Sequence, residues 1–123
     1  MILQNSFYHI GHLASEDQKI EAVINFNPSH IIFDGHFPEQ PVVPGVCMIQ
    51  IIKELLQNQF DKLLHLQQSS QIKFLQLMVP QVHEDVNVSI HFTNTETGIM
   101  VNATFIKAGA ATFKMMGTFI AKN

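Results

Sequence analysis

The sequence predicts an α+β domain in which one buried helix lies against one antiparallel sheet. Three observations carry this. From Val46 to Leu56 the apolar residues Val46, Cys47, Met48, Ile49, Ile51, Ile52, Leu55 and Leu56 surround a helical wheel on nearly every side, and Gln50 alone interrupts the first turns. A helix of that kind is buried rather than laid on a surface. Residues 19–26 instead alternate, with Ile20, Ala22, Ile24 and Phe26 on one face and Lys19, Glu21 and Asn25 on the other. Beyond residue 70 the chain falls into short strand-like runs divided by turn residues.

Taken in order, a first strand is expected over 6–13, ahead of a polar turn at Ser15-Glu16-Asp17. The alternating strand ends at Pro28-Ser29, where a proline-rich loop begins. The helix spans 44–58 and grows more polar toward its end. Strands follow over 71–79, closing at Pro80, and over 86–93, 99–106 and 112–120. Asn94 and Gly98 mark one turn, and Ala108-Gly109-Ala110 the next. The last strand sets Phe113, Met115 and Phe119 on one face. With 123 residues, the sequence reads as a single domain over 1–123 with a modest core.

The loop and the helix start are where chemistry is expected. Pro44 suits a first helical position, since its missing N–H needs no partner there. Val42 and Val43 precede it, so no preferred capping side chain serves the first N–H groups, around Gly45 and Val46. Such an end, positive by dipole and open at Gly45, can hold a carbonyl oxygen that gains negative charge. It can also be satisfied by water or a nearby loop. His36 stands just upstream among Pro38, Pro41 and Pro44, in a restricted loop. An imidazole held beside such donors can remove a proton alpha to the carbonyl.

Gly35-His36-Phe37-Pro38 followed by Pro41-Val42-Val43-Pro44-Gly45-Val46 closely resembles the signature of the β-hydroxyacyl-acyl-carrier-protein dehydratases of fatty acid synthesis. Weaker similarity continues at Lys73-Phe74 and Pro80. The resemblance implies a hotdog fold, a long central helix wrapped by a curved antiparallel sheet, and a homodimer or an assembly of dimers. It implies His36 as the base that takes the alpha proton and Gly45 as the donor to the thioester carbonyl. Val42 stands where the family supports the histidine through backbone contacts. The second catalytic group of the family is a Glu or Asp on the helix, acting from the other subunit, and here Gln50 occupies that place.

A glutamine amide hydrogen-bonds but neither gives nor takes a proton near neutrality. Family members often carry glutamine one helical turn after the acid; here Glu54 stands there, so acid and amide are exchanged across an i,i+4 pair. One turn displaces the carboxylate by about 5 Å along the axis, beyond direct contact unless a water intervenes. Losing a positioned acid costs roughly 10²–10⁴ in rate. Glu54 also fits a plain solvated helix residue beside Lys53.

Composition bounds the rest. Only 14% of residues are charged, which suits a small domain that covers apolar surface with a partner. A net charge of −3 and seven lysines without one arginine argue against nucleic acid. The single cysteine, Cys47, sits among apolar neighbours as a core residue and favours a reducing, cytoplasmic setting. No signal peptide or membrane span is visible. The seven histidines show no zinc spacing, and His9 and His12, three apart, are expected on opposite strand faces. Neither a metal nor a cofactor is therefore expected.

The leading expectation is a dehydratase-like enzyme on an acyl thioester, carried by acyl carrier protein or coenzyme A, with Lys53 and Lys73 as candidate carrier contacts. The rival is a non-catalytic acyl-binding or partner subunit. Thioester hydrolysis on the same fold would need Glu54 or Glu39 to activate water.

Overall fold

The computed structural model describes residues 2–35 and 40–122. Strands β1 (Tyr8–Glu16) and β2 (Lys19–Phe26) form a hairpin, and a short 3-10 helix, Ile31–Gly35, follows. Helix α1 (Gly45–Phe60) precedes β3 (Leu64–Phe74), β4 (Val86–Asn94), β5 (Ile99–Lys107) and β6 (Ala110–Ala121). The six strands make one antiparallel sheet in the order β1-β2-β4-β5-β6-β3.

The period-2 pattern decides what this sheet buries. Ile20, Ala22, Ile24 and Phe26 of β2 face inward with Val86, Val88, Ile90 and Phe92 of β4. Val101, Ala103 and Phe105 continue that face on β5, and Phe113, Met115 and Phe119 on β6. Against them α1 buries Cys47, Met48, Ile51, Ile52, Leu55 and Leu56. Each large side chain withdrawn from water in this way contributes about 1.5–3 kcal/mol before entropy is counted.

Five expectations about the elements change. β1 starts at Tyr8 and runs to Glu16, so the hairpin turn falls at Asp17-Gln18, with Asp17 in the left-handed region at φ 50°. A bulge between Ile10 and His12 pairs His9 with Asn25 and His12 with Val23. Those partners share a face, so the two histidines lie on the same side of the sheet. Pro44 caps α1 rather than opening it: its ψ of 145° is extended, and its carbonyl accepts from Cys47 and Met48. The helix also runs two residues longer, to Phe60, and ends on Asp61 in the left-handed conformation.

The largest difference is β3, which begins at Leu64 rather than 71 and ends at Phe74 rather than 79. It is an edge strand with two register shifts against β6, between Leu66 and Gln68 and between Ser69 and Gln71. After Phe74 the chain leaves the sheet. The N–H groups of Leu75 and Gln76 both donate to Thr112 O, and Met78 O accepts from Val43 N–H just ahead of the helix.

Candidate active site

At the helix start the missing side-chain cap is as the sequence suggests, while Pro44 stands one position ahead of the first helical residue. No side chain caps it, and Gly45 and Val46 occupy its first two positions. Val46 is exposed, and Gly45 is needed for space: a Cβ there would lie 2.5 Å from Cζ of Phe74. The Phe74 ring therefore rests on the backbone where the helix begins. Beside it opens an apolar cleft of roughly 340 Å³, with Val42, Met48, Phe74 and Leu77 among its walls. Cys47 is buried, burial pushes its thiol up, and a nucleophilic role finds no support.

His36 lies outside the described residues, as does Glu39. The approach to position 36 is firmly seated. Phe33, in the 3-10 helix, is buried and stacks on Phe7 at 5.1 Å between ring centres. His30 meets the same ring edge-on at 5.3 Å, and its Nδ1 accepts from Ile32 N–H at 3.1 Å. His30 is thus a structural residue at the loop entrance.

One turn into the helix, Gln50 and Glu54 bond each other, as their spacing allows. Gln50 Nε2 donates to Glu54 Oε2 at 2.8 Å. An ionised carboxylate only accepts, so the amide oxygen of Gln50 is turned away from Glu54. Glu54 is not a solvated residue; it is 4% exposed. Its Oε2 also accepts from Leu3 N–H at 2.7 Å, and its Oε1 from Gln4 N–H at 2.9 Å and the Tyr8 hydroxyl at 3.0 Å. Four donors thus fill the roughly four lone-pair sites a carboxylate offers. Burial first, then the charge and hydrogen bond of Glu54, push the Tyr8 phenol far above its ordinary value.

Sequence reading missed Leu3, Gln4 and Tyr8 at this cluster, and no local signal marks them: they stand some 50 residues from Glu54. It also missed that Phe74 covers Gly45, a contact only the sheet register creates. Among the described residues no three His, Cys, Asp or Glu side chains gather as metal ligands. Nor is any described helix long and apolar enough to cross a membrane.

A long buried helix wrapped by a six-stranded antiparallel sheet, with a glycine at the uncapped helix start, defines a hotdog-fold protein. The model of the ApeI-like dehydratase family, described as ApeI dehydratase, matches residues 12–112, and the chain belongs to that family. The 3-hydroxyacyl-[acyl-carrier-protein] dehydratase FabZ of Listeria monocytogenes is 38% identical over 39 residues, 32% of this chain and 27% of that protein. The matched stretch thus spans about a quarter of the length of such curated relatives. Among solved structures, the dehydratase heterocomplex ApeI:P from Xenorhabdus doucetiae superposes with a TM-score of 0.74 at 17% identity, covering 90% of this chain and 96% of that one. The (R)-hydratase from A. caviae involved in PHA biosynthesis gives 0.63 at 13% identity, covering 89% and 98%. At these identities the solved structures share the fold.

Proposed function

We propose that this chain is a dehydratase subunit acting on a β-hydroxyacyl thioester. The observation that carries the reading is the uncapped, glycine-opened start of α1 beside an apolar cleft, in a chain of the ApeI-like dehydratase family. The thioester carbonyl binds at Gly45 N–H, and the acyl chain follows the cleft past Val42, Met48 and Leu77. His36 takes the alpha proton, the C–H electron pair becomes the new double bond, and the C–O bond to the β-hydroxyl breaks. The hydroxyl leaves as water with the proton His36 has just acquired, because Gln50 has none to give. Gln50 holds the hydroxyl by hydrogen bonding only. Hydrolysis of the thioester through Glu54 is disfavoured, because the Glu54 oxygens already hold four donors.

The site works at a subunit interface. The outer edge of β3 is unpaired among the described residues, and Val46, Phe74, Leu75 and Leu77 beside it are 48–68% exposed. A second hotdog subunit covers them, in the cytoplasm, and neither metal nor cofactor takes part. Gln50 also favours a second reading, in which the covering subunit is a different chain that carries the missing carboxylate. The neighbour from Xenorhabdus, itself a heterocomplex, is consistent with that arrangement.

The test is hydration of an enoyl thioester, on acyl carrier protein and on coenzyme A, by wild type, His36→Ala and the exchange variant Gln50→Glu/Glu54→Gln. Turnover in the wild type that His36→Ala abolishes supports the enzyme. Turnover that appears only when a carboxylate-bearing hotdog dehydratase is added supports the partner subunit. Silence in every arrangement overturns both.

A further inference from the structure

Residues 3–8 lie ahead of the stretch that the family model matches, yet they touch both halves of the candidate site. Leu3 O accepts from the N–H groups of Ser6 and Phe7, which folds this strap into a compact turn. Asn27 fastens it to the end of β2, its N–H donating to Phe7 O at 2.8 Å and its side-chain amide to Ser6 O at 2.9 Å. From that base the strap reaches two ways. The Leu3 and Gln4 N–H groups and the Tyr8 hydroxyl converge on Glu54, which holds the Gln50 amide. The Phe7 ring supports His30 and Phe33, on the segment that leads to position 36.

Glu54 is well suited to orient Gln50. A carboxylate with its other sites occupied by the strap presents only acceptor lone pairs to the amide, so one of the amide's two orientations is excluded. A glutamine at 54 would have a single oxygen for two backbone N–H groups and could not impose that choice. We propose that the strap is a positioning element of the site, with Tyr8 and Glu54 as positioning residues that keep the Gln50 carbonyl oxygen turned away from Glu54, toward the substrate. A β-hydroxyl is then met by an acceptor and binds as a hydrogen-bond donor. The inference rests on the dehydratase reading for its catalytic consequence, but the orientation itself does not need turnover to be seen.

The first readout is therefore the Gln50 side-chain amide by ¹⁵N–¹H NMR, assigned by its loss in Gln50→Ala. In the wild type one of its hydrogens, held on a buried carboxylate, exchanges slowly with solvent. Tyr8→Phe, which leaves the bond between Gln50 and Glu54 its own atoms, should speed that exchange at least tenfold while the protein stays folded. With an active enzyme, the same variant should lower kcat about three- to tenfold and leave KM within twofold, measured well below its melting temperature. Glu54→Asp, too short to reach the strap and Gln50 together, should do the same if Tyr8→Phe does not fold. An unmoved Gln50 amide in a folded variant overturns the inference and leaves the strap a stability element only. An inactive wild type overturns the dehydratase reading instead, and the exchange rates still decide this one.

Discussion

Replacing Glu54 with alanine should destabilise the protein by about 3–5 kcal/mol, most of it from donors left behind rather than from atoms removed. Leu3 N–H and the Tyr8 hydroxyl are buried, and both point at the carboxylate. Each buried donor stripped of its acceptor costs roughly 1–3 kcal/mol. Gln4 is half-buried and can turn to water, and the Gln50 amide can rotate, so these two add little. The lost packing of one methylene, Cγ, on a buried helix face completes the figure. Against a total stability of about 5–15 kcal/mol this is a large share. For a chain of this size, with roughly 4 °C per kcal/mol, it corresponds to a drop of about 12–20 °C in Tm. The assay is urea unfolding by far-UV circular dichroism at fixed protein concentration, because subunit association would otherwise shift the midpoint. Asn58→Ala, on an exposed position of the same helix, should change stability by no more than about 0.5 kcal/mol. A loss below about 1 kcal/mol for Glu54→Ala would show that the strap donors find other acceptors, and that Glu54 does not hold them.

Further perturbations test other parts of the molecule. Tyr8 is the sole tyrosine and the chain has no tryptophan, so absorbance at the phenolate band reports this one buried group. Its phenol is raised on folding, so the stability it contributes is fully present below the unfolded value near 10 and is lost as pH rises above it. Phenolate should therefore appear together with unfolding in an alkaline titration; its appearance in the folded protein would contradict the buried bond to Glu54. Gly45→Ala should leave the fold intact but lower kcat/KM by tenfold or more, since the new methyl displaces the Phe74 ring that the site is built around; unchanged enoyl hydration would remove Gly45 from the mechanism. Lys73 on β3 pairs directly with Lys114 on β6, a like-charge pair that is unfavourable on stability grounds alone. If it serves an acidic carrier, Lys73→Glu/Lys114→Glu should weaken turnover of the carrier-linked substrate at least fivefold and spare the coenzyme A form; equal loss on both would deny that role.

The fold was largely legible because its central elements obey one period each. β2, β4, β5 and β6 keep inward residues two apart over most of their length, and the first turns of α1 are apolar on nearly every side, so the bounds of β2 agree to the residue and the others to within one or two. β3 hid its first half for a physical reason. At a sheet edge with two register shifts, Gln67 to Gln71 are exposed on both faces, and no alternation survives to be read. The same rule explains the histidines of β1, where one extra residue at Gly11 reverses the face that counting from His9 predicts for His12.

The candidate site divides along a different line. Gly45, Gln50 and the Gln50–Glu54 bond were legible because they sit within one helix, where spacing alone sets geometry. What Glu54 does with its remaining lone pairs was not, since its partners lie some 50 residues away on main-chain N–H groups that no sequence pattern marks. That difference alters the chemistry. On spacing alone, Glu54 is an acid displaced by one turn and still able to work through a water; with three donors from the strap and the Gln50 amide on its oxygens it has no lone pair left for that water. On the proposed dehydratase reading, proton transfer at the β-hydroxyl would then fall to His36 or to a carboxylate on another subunit. The two cases separate in the pH dependence of kcat/KM. One ionising group gives a single limb, whereas a base and an acid on different chains give a bell, and Gln50→Glu should turn the first profile into the second. A bell-shaped profile from the wild type alone, with no second chain present, would require an acid that neither Gln50 nor the saturated Glu54 can be.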